Sequence, residues 1–215
     1  MHPTLLAVFF SAAISSATVA FVKISFEDPS FLRWLLLYSL FILYRTKIMI
    51  DDLGWYADLK RTSTDAHPVD VLFAVSTWVG WFAMAAVIGQ DLGYYLVFFI
   101  ITFVLSSIWI YAADYIANDL GDDDGSARFL NRVLFLRSKR HARWLLANLG
   151  LVAGGLLCHS SIVGWHLLSQ MGIHFEIAPA TFFGFGVGML YVILVLDVAS
   201  NIEAFKKSLI DAGKL

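Results

Sequence analysis

Acidic and amide side chains stand at the ends of several long apolar runs in this 215-residue chain. Asp114 and Asp197 each close an apolar run, Asp70 opens one, and Asn148 lies about one helical turn inside another. Moving a charge next to hydrocarbon is costly, so an ionisable residue there indicates an ion, proton or ligand site. The alternative is that these groups cap helix ends and stay hydrated at the membrane edge.

Helical spacing adds two amides to these acids. Asn118 follows Asp114 by four residues and Asn201 follows Asp197 by four, so each pair shares a helix face. Four apolar segments thus offer polar groups to one layer at one side of a membrane. The predicted transport site for a cation or proton comprises Asp114, Asp197, Asp70, Asn148, Asn118, Asn201 and His159.

Two histidines, His159 and His166, are seven residues apart in one apolar segment and face the same way on a helix. We expect His159 to be the deepest titratable group and a candidate proton relay. A hydrogen bond to a neighbouring helix is the structural alternative. A bis-histidine heme needs an axial ligand from another apolar run, and none holds a histidine. A metal needs further ligands, such as Cys158, so the sequence identifies no cofactor.

An acidic run after Asn118 offers a second chemistry. Asp119, Asp122 and Asp124 are candidate ligands for Mg²⁺. Residues 118–122 resemble the start of the first aspartate-rich motif of the UbiA-type membrane prenyltransferases, and this resemblance implies a metal-dependent, lipid-modifying enzyme. The resemblance is short, and Ser126 stands where the third Asp is expected. A solvated loop is the alternative, and we assign the chain to no family.

A basic amphipathic segment, residues 128–143, follows the acidic run. Its apolar side chains share one helical face opposite its basic ones, which is typical of a helix lying in the headgroup layer. We expect this segment to contact anionic lipid at the cytoplasmic face, as a sensor, as an interfacial site, or only as an anchor that fixes topology. The expected lipid contacts are Arg132, Arg137, Lys139, Arg140 and Arg143.

The elements that position these groups are apolar helices. The chain is 59% hydrophobic and 15% charged, with a mean hydropathy of +0.74, whereas soluble domains are about one quarter charged. A helix of about 20 apolar residues crosses about 30 Å of hydrocarbon. The predicted fold class is therefore an all-α, polytopic transmembrane bundle, one domain over residues 1–215, with six spans in three hairpins. The spans are predicted at 4–22, 34–50, 71–89, 92–113, 144–173 and 177–196.

The basic residues orient this bundle. Thirteen of the 15 Lys and Arg residues lie in the second and fourth connections and the C-terminal tail, whereas Lys23 and Arg33 lie on the other side. Because cytoplasmic loops carry the excess of Lys and Arg, both termini are predicted to be cytoplasmic, in a bacterial inner membrane. Arg45 and Lys47 are expected to reach the headgroups from the end of the second span. The net charge of −2 disfavours nucleic acid as a partner.

Glycine pairs mark close helix contacts, with Gly150 and Gly154 on the fifth span and Gly184 and Gly188 on the sixth. The two pairs lie at opposite depths, so each needs a different partner helix or another subunit. A homo-oligomer or a larger membrane complex is therefore expected. With the polar layer, this favours a small channel or transporter, or the membrane subunit of one, over an enzyme. The alternatives are the Mg²⁺-dependent lipid-modifying enzyme and a structural or cofactor-binding subunit.

Overall fold

A computed structural model describes residues 3–62, 68–116, 139–164, 170–171 and 179–211. Within these ranges the chain forms six α-helices and no β-strand. The helices are α1 (Pro3–Phe21), α2 (Phe31–Thr62), α3 (Pro68–Val87), α4 (Leu92–Ile116), α5 (Lys139–His159) and α6 (Pro179–Asp211). A single π-helical turn, Ser160–Gly164, continues α5. The predicted all-α class is confirmed for the described residues.

Two helices extend well past the predicted spans. The sequence predicts that the second span finishes at residue 50 and the sixth at residue 196, yet α2 continues to Thr62 and α6 to Asp211. The added turns mix charged residues with strong helix formers, and no proline interrupts either helix. Hydropathy marks where a helix leaves an apolar environment and does not mark where the helix itself finishes.

Within the described residues, three helical stretches are long and apolar enough to cross a membrane: Leu92–Ala112, His141–Gly164 and Pro179–Ala199. Two further apolar stretches, Val8–Phe21 and Val75–Val87, are shorter. All six helices carry exposed large apolar side chains. A soluble monomer avoids extended apolar surface of this kind, so these features are consistent with a membrane protein.

Contacts between the helices close into a ring. Its order is α1, α3, α4, α5, α6, α2 and back to α1, and each helix packs mainly on its two neighbours. The consecutive pairs α1–α2, α3–α4 and α5–α6 are neighbours in this ring, as the predicted hairpins require. The ring also joins α2 to α6, which are distant in the sequence, and this contact supplies half of the candidate site.

Pairwise contacts give the helix directions. Ser39 of α2 shares a hydrogen bond with Tyr191 of α6, and farther along both helices Lys47 contacts Asp197, so α2 and α6 run parallel. The consecutive helices run antiparallel. As a result α2, α4 and α6 finish where α1, α3 and α5 begin, which we call the far end. The connections from α1 to α2 and from α3 to α4 lie at the opposite end, which we call the short-loop end.

A tight turn joins α3 to α4 at the short-loop end. Gly89 has a φ of 78°, in the left-handed region that favours glycine after a helix. Asp91 then caps α4, because its carboxylate accepts a hydrogen bond of 2.9 Å from the Tyr94 backbone amide. The turn fixes the antiparallel packing of the two helices and hence the direction in which α4 carries Asp114.

Aromatic side chains fill the interior of the ring. Phe41 and Tyr44 of α2 contact Trp81 of α3, with ring centroids 5.3 and 4.7 Å apart, and Tyr44 also contacts Phe103 of α4 at 4.2 Å. All four side chains are almost completely buried. These large rings bridge α2 to α3 and α4 across the ring, so the described interior is packed.

Candidate acid–base site

A buried acid–base pair joins α4 to α5 at the far end. His141 Nδ1 lies 2.8 Å from Asp114 Oδ1, and the two side chains are 4% and 5% exposed. Asp114 lies in the last turn of α4 and His141 in the first turn of α5, so antiparallel packing brings them together. The facing carboxylate favours a proton on Nδ1. The imidazole therefore donates this hydrogen bond and the carboxylate accepts it.

A second buried pair joins α2 to α6. Lys47 Nζ lies 2.9 Å from Asp197 Oδ2, and the side chains are 3% and 6% exposed. The same ammonium lies 5.7 Å from the centroid of the Tyr44 ring. Removing either partner of such a pair leaves an uncompensated buried charge. Each of these two charges therefore loses a compensating contact if the other is removed.

Arg45 adds a third buried base near this pair. Its guanidinium lies between two rings, with Cζ 5.5 Å from the centroid of Phe10 and 5.1 Å from that of Trp81. The residue is only 3% exposed. Ring faces carry partial negative charge and attract a planar cation. Arg45 thus connects α2 to α1 and α3 through these ring contacts, at about the depth where Lys47 connects α2 to α6.

An amide lies in the same region. Asn148 of α5 is 1% exposed, and its Nδ2 donates a hydrogen bond of 3.0 Å to Ser106 Oγ of α4. Its other amide atom, Oδ1, has no hydrogen-bond partner among the described residues, and the same is true of the buried Trp81 Nε1. A buried polar atom without a partner is costly. Both atoms therefore offer hydrogen bonds to a polar species that enters this part of the bundle.

The helix register gives the depths of these groups. Asp114 lies eight residues beyond Ser106 on α4, so the His141 pair is about 12 Å farther toward the far end than Asn148. Asp197 lies one turn beyond Ile193, which packs against Gly150. The Lys47–Asp197 pair therefore falls between those two levels. We call this set the acid–base layer; its members are Arg45, Lys47, Asp114, His141, Asn148 and Asp197.

Three residues of the transport site predicted from the sequence belong to the acid–base layer: Asp114, Asp197 and Asn148. Asp70 lies in the first turn of α3 and Asn201 on α6, both at the far end, but their side chains are outside the described residues. The last of the predicted amides, Asn118, is itself outside the described residues.

His159 does not join the layer. It lies in the last turn of α5, one turn beyond Gly155, which packs against Phe99 near the start of α4. The 18 positions between His141 and His159 correspond to about 27 Å along α5. Because α5 begins at Lys139, it carries His159 toward the short-loop end, and the membrane depth expected for His159 stays a prediction. Its predicted companion, His166, lies outside the described residues.

The remaining predicted sites fall largely outside the described residues. This applies to the three proposed metal ligands, Asp119, Asp122 and Asp124, and to two of the lipid contacts, Arg132 and Arg137. Lys139 and Arg140 begin α5, but their side chains are outside the described part. Arg143 is exposed on α5, as a lipid contact requires.

The basic partners of the layer were not predicted from the sequence. Arg45 and Lys47 were expected at the headgroups, and His141 was treated only as part of a basic segment. One signal was present: two cations within three residues, followed by Ile48, Met49 and Ile50, still lie inside an apolar stretch. A charge that is followed by apolar residues is better placed inside the bundle than at its edge.

Acid–base pairs of this kind suit proton exchange better than metal binding. In the part of the chain that the structure describes, no group of three or more His, Cys, Asp or Glu side chains gathers as a metal site. Asp114 and Asp197 each face a titratable base instead. A metal cation would have to displace His141 or Lys47, whereas a proton has only to move within the pair.

Comparisons with known proteins give no further guide. No family model, no curated protein and no solved structure matches the chain.

Proposed function

We propose that the chain is a six-span membrane protein of a bacterial inner membrane, with its far end in the cytoplasm. The exposed apolar faces of all six helices support this placement, as does the scarcity of basic residues at the short-loop end, where only Lys23 and Arg33 lie. In this arrangement the positive-inside rule puts the basic segment 128–143 and the termini beside the cytoplasmic leaflet.

We propose further that the protein is a carrier that moves protons across the membrane, and that the acid–base layer is the site where the proton binds. The observation that carries this proposal is the pairing of two buried carboxylates with titratable bases at the same end of the bundle, Asp114 with His141 and Asp197 with Lys47. Ionisable groups inside a membrane bundle commonly mark proton or ion pathways. Transient protonation of either carboxylate would release its base and loosen one helix contact.

The depth of the layer fits this role. Lys47 lies 16 residues from the start of α2, and Asp197 lies 18 from the start of α6, which puts the pair about 24 to 27 Å from the short-loop end. Asp114 lies about 33 Å from the start of α4. With a hydrocarbon core of about 30 Å, the Lys47 pair lies just inside the cytoplasmic boundary and the His141 pair lies at it.

The packed aromatic interior favours a carrier over an open channel. Tyr44, Trp81 and Phe103 fill the middle of the ring, so passage requires helices to move. The seam between α2 and α6 is the best candidate route, because it carries polar contacts at two depths, Ser39 with Tyr191 and Lys47 with Asp197. The alternatives, a Mg²⁺-dependent lipid enzyme and a structural subunit, are favoured by no contact among the described residues.

The proposed partners are a second copy of the chain and anionic lipid. On α6, a Cβ atom added at Gly184 or Gly188 meets no described residue within 4 Å, and this small-residue face could pack against another subunit. At the cytoplasmic leaflet, Arg143 and the basic residues before it would attract anionic headgroups.

A proton-flux assay tests the transport proposal. Purified full-length protein is reconstituted in liposomes that hold a pH-sensitive dye, a pH gradient is imposed, and the membrane potential is clamped with valinomycin and K⁺. We expect faster proton entry than into protein-free liposomes, and we expect Asp197→Asn or Asp114→Asn to reduce the added flux at least about tenfold, since each removes a proton-binding carboxylate.

Asp91→Asn is the matched control. It makes the same substitution on α4 at the short-loop end, and asparagine still caps a helix, so flux should stay at the wild-type level. Size-exclusion profiles check that each variant is folded. The proposal fails if wild-type liposomes take up protons no faster than empty ones, or if both acid variants conduct like the wild type.

A further inference from the structure

A groove of about 600 Å³ opens between α1 and α3 at the short-loop end. Small side chains form its walls, including Ser16 and Ala20 from α1 and Ala85 and Ala86 from α3, and Phe82 lies deeper along it. The two helices run parallel, and their short side chains leave space between them. The result is a slot on the outside of the ring, in a region that membrane lipid would contact.

Two contacts bound the slot, one at its far-end side and one at its short-loop side. Toward the far end, Phe9 stacks on Trp78 with ring centroids 4.5 Å apart. Toward the short-loop end, Gly89 meets Ile24, so closely that a Cβ atom there would lie 3.0 Å from Ile24 Cγ1. The groove is therefore a bounded feature of the α1–α3 pair.

Its length matches one leaflet of a bilayer. The lining runs from Ser15 to Lys23, which follows α1, and from Phe82 to Gln90, which follows α3. Each stretch spans eight residue steps, or about 12 Å at the helical rise. Half of a hydrocarbon core is about 15 Å thick. The short-loop end then lies at the headgroups, and the deep end of the groove approaches the middle of the membrane.

A cation stands at the mouth of the groove. Lys23 follows the last turn of α1 and is exposed, and it forms no ion pair with any described residue. Gln90 lies across from it, and its amide nitrogen donates to the Ala86 carbonyl. Loops on the outer side of a membrane carry few basic residues, and Lys23 and Arg33 are the two in the predicted outer loops of this chain. The position of Lys23 at the mouth of the groove is therefore consistent with a binding role.

We propose that this groove binds one anionic phospholipid of the outer leaflet, with an acyl chain between α1 and α3 and the phosphate beside Lys23. The walls are mainly apolar and favour an acyl chain, and the charge of Lys23 favours a negative headgroup over a zwitterionic one. A basic side chain at the membrane surface is worth about fivefold in affinity for anionic lipid. This inference rests on the proposed membrane placement and is independent of proton transport.

Native mass spectrometry of the full chain in detergent tests the proposal, with phosphatidylglycerol and phosphatidylcholine of identical acyl chains as probes. The wild type should retain one more tightly bound phosphatidylglycerol than Lys23→Ala. Arg33→Ala is the control, because the other basic residue of this side stacks over Phe183, 5.6 Å from the ring centroid, and does not line the groove. This variant should retain the wild-type number of lipids.

A groove-filling variant separates the slot from the charge. Ala86 is exposed on the groove wall, so Ala86→Phe fills the space without replacing a buried group and should also remove one lipid. Equal lipid counts in the wild type, Lys23→Ala and Ala86→Phe would overturn the proposal. It would also be overturned by a wild-type dimer that Ala86→Phe dissociates, since a second copy would then occupy the groove. Neither result depends on proton flux.

Discussion

The Lys47 ammonium and the Asp197 carboxylate lie 2.9 Å apart, both almost fully buried. They belong to α2 and α6, which are distant in the sequence and whose contact completes the ring of helices. The pair lies on the seam of α2 and α6, where Ser39 and Tyr191 also share a hydrogen bond. Any change that separates these two helices must separate the two charges. The same contact therefore links the stability of the ring to the proposed transport site.

Single substitutions in this pair should be strongly destabilising, and the double substitution much less so. Lys47→Met or Asp197→Leu alone breaks the buried ion pair and keeps one of its two charges, at a cost of about 3–5 kcal/mol. Lys47→Met together with Asp197→Leu removes both charges, and stability should return to within about 1 kcal/mol of the wild type. The free energy of unfolding in mixed detergent micelles, measured by SDS titration, checks this.

Lys23→Met serves as the control for removing a lysine, because Lys23 is exposed and forms no ion pair with a described residue. It should change the free energy of unfolding by less than about 0.5 kcal/mol. If the two single losses at Lys47 and Asp197 simply add in the double variant, the ion pair makes no contribution to stability.

The sequence allowed the prediction of the helices and of one side of each buried pair. Asp114 and Asp197 were found because an acid at the end of an apolar run is visible in a single segment. Their partners, His141 and Lys47, depend on which helices become neighbours, and hydropathy along one chain does not contain the ring order. The seam between α2 and α6 was for this reason beyond prediction.

The glycines of α5 and α6 show the same limit. The sequence indicated two pairs, yet the structure packs Gly154 against Leu190 and the Gly186 carbonyl, while Gly184 and Gly188 have no close neighbour among the described residues. The predicted close helix contact is therefore observed for the glycine pair of α5, whereas the partner expected for Gly184 and Gly188 stays a prediction. The residue that makes the close approach, Gly186, lies between the two that were singled out.

Gly186→Ala should destabilise the α5–α6 contact. Its added Cβ would lie 2.6 Å from Cys158 Sγ and 3.1 Å from the Gly154 carbonyl oxygen, and overpacking of this kind costs about 1–3 kcal/mol. Gly184→Ala and Gly188→Ala are matched controls on the same helix, since their Cβ atoms would meet nothing within 4 Å in the described part of the chain. The free energy of unfolding of the controls should equal that of the wild type or exceed it by up to about 1 kcal/mol. Equal decreases in this free energy at all three glycines would contradict the observed crossing of α5 and α6.

The start of α2 should respond to acid through Asp28. Its Oδ1 accepts hydrogen bonds from the Ser30 hydroxyl at 2.6 Å and the Ser30 amide at 2.7 Å. These bonds lower the pKa of the carboxyl below its ordinary value of 3.8. A lowered folded-state pKa contributes stability that is fully present above the unfolded pKa and is lost as pH falls through the folded one.

Thermal unfolding of the wild type and Asp28→Asn at a series of pH values checks this. The difference in melting temperature should be constant at neutral pH, shrink below about pH 4 and vanish at lower pH. Glu27→Gln is the control, because this neighbouring carboxylate accepts no hydrogen bond from a described residue. A difference between wild type and Asp28→Asn that grows as pH falls would have the wrong sign.

Asn148 should show a conflict between stability and function. Its Oδ1 is buried and has no partner among the described residues, while its Nδ2 donates to Ser106. Replacing both polar groups together, as Asn148→Leu with Ser106→Ala, removes an unsatisfied atom without leaving another, so the free energy of unfolding should stay equal or rise by about 1 kcal/mol. Ser106→Ala alone leaves Nδ2 without an acceptor and should cost about 1–3 kcal/mol.

In the liposome assay, the double variant should lose most of its proton flux despite its retained stability, because the bundle keeps its packing but loses the amide at the level of Arg45. Such a trade-off is typical of polar groups kept for activity. A double variant that is equally stable and equally active would assign Asn148 and Ser106 a role in helix packing only. The transport site would then be confined to the two acid–base pairs nearer the far end.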